Sequence, residues 1–261
     1  MNIVVTGAKG YIGKVLVDQL KNKEGINVIK HDIDTWDIRK PYPEGFTRDV
    51  SVVIHLAGLI KVGESVKDPW SYYKTNILGT MNVMDAFPNA KMIFASTGAA
   101  FDPQNPYAKS KIICEDMIKA EYNKYTIFRF FNVGGGHPTN PEGLYQATRN
   151  AMETGTFTIF GDDYDTPDGT CVRDYVHVDD IAQAMVGAIG VEPAMSDYEP
   201  LGSGKSYTVK QYVDKFLEVN GPLFKVEYGP RRPGDAAATE VPFMSKYMVP
   251  MKSLEDIVRL P

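Results

Sequence analysis

The sequence is poor in the two residue types that most often build covalent cross-links and transition-metal sites. Only two of its 261 residues are cysteines, Cys114 and Cys171, and their separation matches no metal-binding motif. The four histidines are scattered along the chain, at His31, His55, His137 and His177. We therefore expect a reducing compartment, no disulfide framework and no metal site. His55, inside an apolar run, is expected to be a hydrogen-bonded core residue, and His177 to be structural.

The chain also lacks a long apolar segment and an excess of basic residues. No apolar run is long enough to span a membrane, and there is no internal repeat or low-complexity tract. The 28 basic and 33 acidic side chains give a net charge of −5, which argues against nucleic acid as a partner. Because the first predicted strand begins at Asn2, no secretory leader is expected, and the predicted location is the cytoplasm. The acidic residues between 162 and 168 are expected to form a solvated loop.

The beginning of the chain has the pattern of a strand, a glycine turn and a helix. Residues 2–6 are apolar and β-branched, which is typical of a strand. Glycines follow at Gly7, Gly10 and Gly13, and apolar residues then recur at helical spacing as far as Leu20. The unpaired N–H groups and the positive dipole end of such a helix favour a pyrophosphate, which glycines allow to approach the backbone. We therefore predict a dinucleotide-binding site.

An acidic residue follows at the spacing that such a site requires. A second predicted strand covers 26–30, and Asp32 comes just after it. A carboxylate at this place can accept hydrogen bonds from both ribose hydroxyls and would repel a 2′-phosphate. The predicted cofactor is therefore NAD and not NADP.

Strand-like and helix-like segments alternate through the first half of the chain. Apolar runs at 49–56, 91–96 and 125–131 are predicted strands, and the segments 69–87 and 106–122 are predicted helices. This alternation predicts an α/β fold, a Rossmann-type doubly wound parallel sheet with a smaller interleaved C-terminal substrate-binding region.

The predicted domain boundaries follow from this alternation. An NAD-binding Rossmann domain is predicted for 1–133, continued by 172–200, and the substrate-binding region for 134–171 and 201–261. Ligands of such sheets bind beyond the carboxyl ends of the strands. The glycine turn and Thr97 both fall at that edge.

The helix that begins at Asn105 and Pro106 carries a tyrosine and a lysine four residues apart. Tyr107 and Lys111 share a helix face, which brings the ammonium near the phenol. A phenol ordinarily titrates near pH ~10, and a nearby cation lowers its pKa. Tyr107 is therefore the predicted general base, and Thr97 the predicted hydrogen-bond partner of the substrate hydroxyl. Tyr-x-x-x-Lys also occurs by chance, but here it follows a dinucleotide site.

Several longer stretches of the sequence are distinctive. They are VTGAKGYIG (5–13), VIHLAGLIKVGES (53–65), YYKTNILGT (72–80), YAKSK (107–111), RFFNVGGGHP (129–138), IFGDDYDTPDGTCVRDYVHVDD (159–180) and PRRPGD (230–235). On these stretches the chain resembles the extended short-chain dehydrogenase/reductases, and within that group the UDP-hexose 4-epimerases. The resemblance covers nearly the whole length, and the glycine spacing is the mark of the extended group.

The resemblance implies interconversion of UDP-glucose and UDP-galactose by transient oxidation at C4 of the sugar, with tightly bound NAD. Tyr107 would be the base, Lys111 would lower its pKa and bind the nicotinamide ribose, and Thr97 would bind the sugar hydroxyl. The other implied cofactor contacts are Gly7, Gly10, Tyr11, Ile12, Gly13, Asp32, Asp37, Ile38, Leu56, Ala57, Gly58, Asn76 and Phe131. The other implied substrate contacts are Asn132, Arg173, Arg232 and Asp235. The two arginines would neutralise the diphosphate, whose oxygens suit guanidinium forks.

The resemblance also implies a homodimer formed by the helices at 69–87 and 104–122. The chain departs from the family pattern in a short stretch at 32–37, a trimmed loop at 97–107, Ile60 in place of a common lysine, no asparagine near Leu144, and Thr239 where many members have a tyrosine. The short stretch concerns the adenosine side, and the trimmed loop concerns the cover over the site. The missing asparagine concerns uridine recognition, and Thr239 concerns the acceptance of N-acetylated sugars.

Other functions stay open on the sequence. A 4,6-dehydratase or a decarboxylase shares the fold and the base but needs a carboxylate next to the threonine, where this chain has Gly98 and Ala99. A reductase that releases NADH, an epimerase of another nucleotide sugar and a non-catalytic NAD-binding regulator are alternatives. A regulator has no need of Thr97, Tyr107 and Lys111 together, which argues against it.

Overall fold

The computed structural model describes residues 1–43, 49–136, 143–191 and 198–260; His137 lies outside these ranges. The strands are β1 (Asn2–Thr6), β2 (Asn27–His31), β3 (Val52–His55), β4 (Lys91–Thr97), β5 (Tyr125–Phe130), β6 (Asn132–Gly134), β7 (Thr156–Phe160), β8 (Val172–His177), β9 (Glu199–Leu201), β10 (Ser206–Thr208), β11 (Lys225–Gly229) and β12 (Ala238–Thr239). The α-helices are α1 (Tyr11–Lys21), α2 (Val62–Lys67), α3 (Pro69–Tyr72), α4 (Gly79–Ala86), α5 (Pro106–Glu121), α6 (Leu144–Thr154), α7 (Val178–Ile189), α8 (Val209–Asn220) and α9 (Leu254–Val258). Within the described residues, no helix combines the length and apolar character needed to cross a membrane.

The chain divides into two compact units. The first comprises Met1–Arg129 and Ala182–Glu199, and the second Phe130–Ile181 and Pro200–Pro261. The returning segment of the first unit is therefore shorter than the predicted 172–200. The reason is that β8 pairs with β6, β10 and β12 and so belongs to the second unit.

A six-stranded sheet has the order β2-β1-β3-β4-β5-β9, and the first four strands of this order lie wholly in the first unit. β1 pairs in parallel with β2 and β3, and β3 pairs in parallel with β4. Every residue of β3 and β4 is buried, as expected for strands covered on both faces. The predicted α/β fold with a parallel Rossmann-type sheet is confirmed.

The segment predicted as one helix at 69–87 consists of three pieces. A π-helical segment at Tyr73–Leu78 separates α3 from α4. It carries Asn76, whose backbone carbonyl accepts hydrogen bonds from Thr80 Oγ1 at 2.6 Å and from Cys114 Sγ at 3.3 Å. π-Helical segments inside α-helices are rare and often lie at functional sites.

The second unit has its own core. In it, β8 is paired with β6 and β12 in parallel and with β10 in antiparallel orientation, while β7 and β11 form a separate parallel pair. The buried aromatic side chains of Phe157, Tyr175, Tyr212 and Phe216 pack together among these elements and α8. This packing holds β8, which carries the predicted binding residue Arg173.

Candidate active site

The helix α5 places Tyr107 and Lys111 in the buried interior of the first unit. Asn105 caps the helix as predicted, because its side-chain oxygen accepts from the N–H of Ala108 at 2.9 Å. Tyr107 and Lys111 lie on the same buried face, with exposed fractions of 9% and 4%. Lys111 Nζ donates to the carbonyl of Ala95 at 2.8 Å, which ties α5 to β4.

Thr97 ends β4 and faces Tyr107. The interaction of its hydroxyl with the phenol lowers the pKa of Tyr107. Thr97 Oγ1 also accepts from the N–H of Ala99 at 3.2 Å, so that it caps the 3₁₀ turn Gly98–Phe101. The structure therefore brings together the base and the hydroxyl that the sequence predicted.

The pKa of Tyr107 is raised in the protein alone, because burial disfavours the phenolate more than the interaction with Thr97 favours it. This direction is opposite to the one expected from Lys111. Burial also lowers the pKa of Lys111, with smaller opposing contributions from Cys114 and Glu115. A low-dielectric site of this kind strengthens the effect of any positive charge that is brought to the phenol.

A buried hydrogen-bond network places the loop after β3 beside Lys111. Asn76 accepts from the N–H of Leu59 at 2.8 Å, and its amide donates to the Leu59 carbonyl at 3.1 Å. A Cβ added at Gly58 would lie 2.9 Å from Asn76 Oδ1 and 3.5 Å from Lys111 Nζ. Only a glycine therefore leaves the backbone this close to both side chains.

His55 is a satisfied core histidine, as predicted. Its ring nitrogens are hydrogen-bonded to Thr6 Oγ1 at 2.7 Å and to Thr80 Oγ1 at 3.1 Å. Burial, helped by the positive charge of Lys111, lowers its pKa to about 3. The ring is thus neutral at physiological pH and serves to join β3 to β1 and α4.

The glycine turn forms a cradle at the start of α1. Gly7 has a positive φ of 69°, and a Cβ added there would lie 2.8 Å from the backbone nitrogen of Ala57. A Cβ at Gly13 would lie 2.1 Å from the Gly7 carbonyl oxygen. Gly10 is the N-cap of α1, and no side chain caps this end of the helix. The turn therefore fits a pyrophosphate on the helix N-terminus.

Asp32 lies beside this turn. One carboxylate oxygen accepts from the N–H of Lys9 at 2.8 Å, and the other accepts from the N–H of Ile33 at 2.9 Å. A carboxylate has about four acceptor sites, so that both oxygens can still accept from ribose hydroxyls. The arrangement is compatible with a ribose at Asp32, and that contact stays a prediction.

The next predicted cofactor residues, Asp37 and Ile38, are engaged with the protein itself. Arg39 donates to both carboxylate oxygens of Asp37 at 2.8 Å and lowers the pKa of that carboxyl. Ile38 is buried and packs against Gly79 at the start of α4. Contact of either residue with the cofactor, for which the resemblance implies the adenine, remains a prediction.

Five further predicted residues belong to the second unit. Phe131 is buried, and Asn132 begins β6 and pairs with Tyr175. The Arg173 guanidinium donates to the carbonyl of Val172 at 2.7 Å, and the Arg232 guanidinium lies 3.8 Å from the centre of the Phe160 ring.

In the part of the chain that the structure describes, Arg173 and Arg232 form no ion pair with a carboxylate. Asp235 is exposed, and its backbone N–H donates to the Arg232 carbonyl at 3.3 Å. These positions are compatible with diphosphate and ribose binding, which stay predictions.

Sequence reasoning missed the polar side chains that hold this site together. They are Thr6, Thr80, Ser96, Ser110, Glu115 and Arg129, all of them buried. Glu115 is the residue that the sequence could have indicated, since it lies on the Tyr107 face of α5, two turns further along. The partners of these side chains come from distant segments, which local patterns do not identify.

The comparisons with known proteins agree with this geometry. Residues 3–198 match the NAD dependent epimerase/dehydratase family. The UDP-glucose 4-epimerase of Rhizobium meliloti is 34% identical over 285 residues, which cover 90% of this chain and 87% of that protein.

Two solved structures are also similar. The UDP-glucose 4-epimerase of Bifidobacterium longum in complex with NAD⁺ and UDP has a TM-score of 0.85 and 27% identity, covering 99% of this chain and 96% of that one. The Thermus thermophilus UDP-glucose 4-epimerase complex with NAD has a TM-score of 0.84 and 25% identity, covering 100% and 97% of the two chains. The match to the family model and the identity to curated relatives show that this chain belongs to the NAD dependent epimerase/dehydratase family.

Proposed function

We propose that this chain interconverts UDP-glucose and UDP-galactose by inverting C4 of the sugar, with tightly bound NAD. The observation that carries the proposal is the buried pair of Thr97 and Tyr107, one helical turn from Lys111, together with a glycine turn that fits a pyrophosphate. The relatives named UDP-glucose 4-epimerase support the choice of substrate.

The chain's own residues account for the proton transfer. Thr97 and Tyr107 together bind the C4 hydroxyl, and Tyr107 removes its proton and later returns it. Because burial raises the pKa of Tyr107, base strength depends on the interaction with Thr97 and on positive charge in the site. Lys111, one turn away on the same face, is the cation that this chain supplies.

The cofactor residues are proposed from the same geometry. The glycine turn would hold the pyrophosphate of NAD, Asp32 the adenosine ribose, and Gly58 and Lys111 the nicotinamide side. When bound, NAD supplies a reversible hydride acceptor, so that no second substrate is needed. Arg173 and Arg232 would neutralise the diphosphate of the substrate, with Asn132 and Asp235 on the rest of the nucleotide.

The residues after Thr97 favour epimerisation over elimination. A dehydratase needs a carboxylate next to the threonine, but Gly98 and Ala99 form the 3₁₀ turn there. Gly98 is buried and has no side chain to supply a proton. An epimerase needs only one base, which acts in both directions.

We propose a homodimer as the assembly of this chain. The helical segments between 69 and 121 expose apolar side chains that are normally covered, with exposed fractions of 73% for Trp70, 46% for Met81 and 40% for Ile113. A second copy would bury the same helices on both sides of a two-fold axis. A monomer mass by light scattering at micromolar concentration would reject this assembly.

We also propose the cytoplasm as the location and exclude nucleic acid from the partners. Both cysteines are buried and free, as expected in a reducing compartment. The net charge of −5 argues against nucleic-acid binding.

The deciding experiment incubates the purified protein with UDP-glucose and no added cofactor, and then separates the nucleotide sugars. Formation of UDP-galactose supports both the reaction and the tight retention of NAD. If NAD is extracted from the protein but no UDP-galactose forms, this substrate assignment is wrong. Released NADH would instead identify a reductase.

A further inference from the structure

A buried carboxylate joins the strand that carries Thr97 to the helix that carries Tyr107. Glu115 of α5 is 1% exposed. It accepts a hydrogen bond from Ser96 Oγ at 2.5 Å, and Ser96 is the residue before Thr97. Arg129, the last residue but one of β5, donates to both Glu115 oxygens, from Nε at 2.9 Å and from Nη2 at 2.7 Å.

The same guanidinium lies between two aromatic rings. Its central carbon is 4.7 Å from the centre of the Phe101 ring and 4.0 Å from that of Tyr198. The two rings meet edge to face, with centroids 5.2 Å apart. Planar guanidinium groups favour such stacking, which a lysine ammonium cannot reproduce.

These contacts hold Thr97 from both sides along the chain. On one side, Ser96 is bonded to Glu115 and thus to Arg129. On the other, Phe101 ends the 3₁₀ turn that Thr97 caps, and its ring lies on Arg129. This turn belongs to the trimmed loop at 97–107.

We propose that Arg129 is a positioning residue for the reaction, which sets the Thr97 hydroxyl against Tyr107 through Glu115, Ser96 and Phe101. The inference rests on the proposed function and adds to it a residue outside the substrate and cofactor contacts. A stabilising role alone is a weaker explanation, because buried ion pairs are often no more stabilising than apolar residues of the same volume.

The role predicts a particular kinetic effect. Displacement of Thr97 weakens the interaction that lowers the pKa of Tyr107. The acid limb of the kcat profile should therefore move to higher pH, and kcat should fall about tenfold or more. KM for UDP-glucose should change by less than about twofold, since Arg129 is not among the proposed substrate contacts.

Two pairs of variants separate positioning from folding. Arg129→Lys keeps the positive charge but loses the paired hydrogen bonds to Glu115 and the stacking on Phe101 and Tyr198. Lys119→Met removes a second cation, 3.8 Å from the Glu115 carboxylate, and leaves these Arg129 contacts in place. Phe101→Leu removes the flat ring, while Phe101→Tyr keeps it. Circular dichroism and thermal unfolding show whether each variant is folded.

We expect Arg129→Lys and Phe101→Leu to lower kcat and to move the acid limb to higher pH, and Lys119→Met and Phe101→Tyr to leave both unchanged. Folded Arg129→Lys and Phe101→Leu variants with an unchanged kcat and acid limb would overturn the proposal. An equal displacement by Lys119→Met would also overturn it, because the effect would then reflect charge near Glu115.

The proposed function is tested separately by the unchanged protein. If that protein does not convert UDP-glucose, the proposed function fails, and positioning is decided by ultraviolet difference titration. Each variant is then titrated against the same variant carrying Tyr107→Phe, which isolates the phenolate of Tyr107. A higher pKa in Arg129→Lys than in the unchanged protein supports positioning, and an equal pKa overturns it.

Discussion

Asn76 donates from its side-chain amide to the Ser110 hydroxyl at 2.9 Å, and Ser110 donates in turn to the backbone carbonyl of Tyr107 at 2.7 Å. The π-helical segment that carries Asn76 is thereby joined to the helix turn that carries the proposed base. Asn76 also bonds both backbone polar groups of Leu59. One amide thus connects the segment next to Gly58 with the helix of Lys111.

Truncation of this amide should destabilise the first unit. Asn76→Ala leaves the N–H and carbonyl of Leu59 without their partner, and Asn76 is 2% exposed. We expect the free energy of unfolding to fall by about 1–3 kcal/mol, as measured by urea denaturation. Asn27→Ala is the control, because its exposed side chain bonds only the half-buried Asn2 side chain among the contacts described, and it should change stability by less than about 0.5 kcal/mol. Equal losses in the two variants would contradict the connecting role.

Removal of the proposed base should stop the reaction and leave the cofactor in place. Tyr107→Phe keeps the ring and its edge contact with Tyr72, at 6.4 Å between centroids, and removes only the hydroxyl. We expect kcat to fall by about 10²–10⁴-fold, the usual contribution of a general base. NAD content, measured by extraction, should stay that of the unchanged protein. Turnover at the unchanged rate would show that another group is the base.

The glycine turn should be intolerant of one methyl group. In Gly13→Ala the new Cβ would lie 2.1 Å from the Gly7 carbonyl oxygen, so that α1 must move away from β1. We expect loss of the retained NAD and a clear loss of stability, since overpacking costs about 1–3 kcal/mol.

Gly63→Ala is the matched control for this variant. Gly63 lies in α2, and an added Cβ meets nothing within 4 Å. Stability should stay unchanged or rise by up to about 1 kcal/mol, with NAD content unchanged. If Gly13→Ala retained NAD as well as Gly63→Ala does, the glycine turn would not be the pyrophosphate site.

The parts of the site that the sequence predicted are those that depend on local pattern. The glycine turn, the Asn105 cap and the shared face of Tyr107 and Lys111 all follow from spacings of a few residues. The ion pair of Glu115 with Arg129 joins two segments, and nothing in either one alone shows that they meet. The π-helical segment at Asn76 was missed for the same reason, because its carbonyl accepts a hydrogen bond from the distant Cys114 only in the folded chain.

The direction of the Tyr107 pKa also needed the structure. Spacing on a helix indicates that Lys111 is near, and this alone predicts a lower pKa. Only the fold shows that both side chains are buried, so that desolvation outweighs the interaction with Thr97.

The neutral ring of His55 should make the first unit sensitive to acid. The pKa of His55 is about 3 in the folded protein and near the unperturbed value of 6.5 in the unfolded chain. The unfolded chain therefore binds a proton more readily. The stabilising contribution is complete above pH 6.5 and is lost as the pH falls towards 3. Between these limits the free energy of unfolding should decrease by several kcal/mol, of the order of 2–4.

The variant His55→Gln tests this contribution directly. Burial also lowers the pKa of His31 and His177, so that the quantity to compare is the difference in unfolding free energy between His55→Gln and the unchanged protein at each pH. We expect the variant to be less stable at pH ~7 and the difference to shrink as the pH falls, because glutamine does not titrate. A difference that is constant from pH ~7 to pH ~4 would show that the ring is not held neutral by its buried place between Thr6 and Thr80.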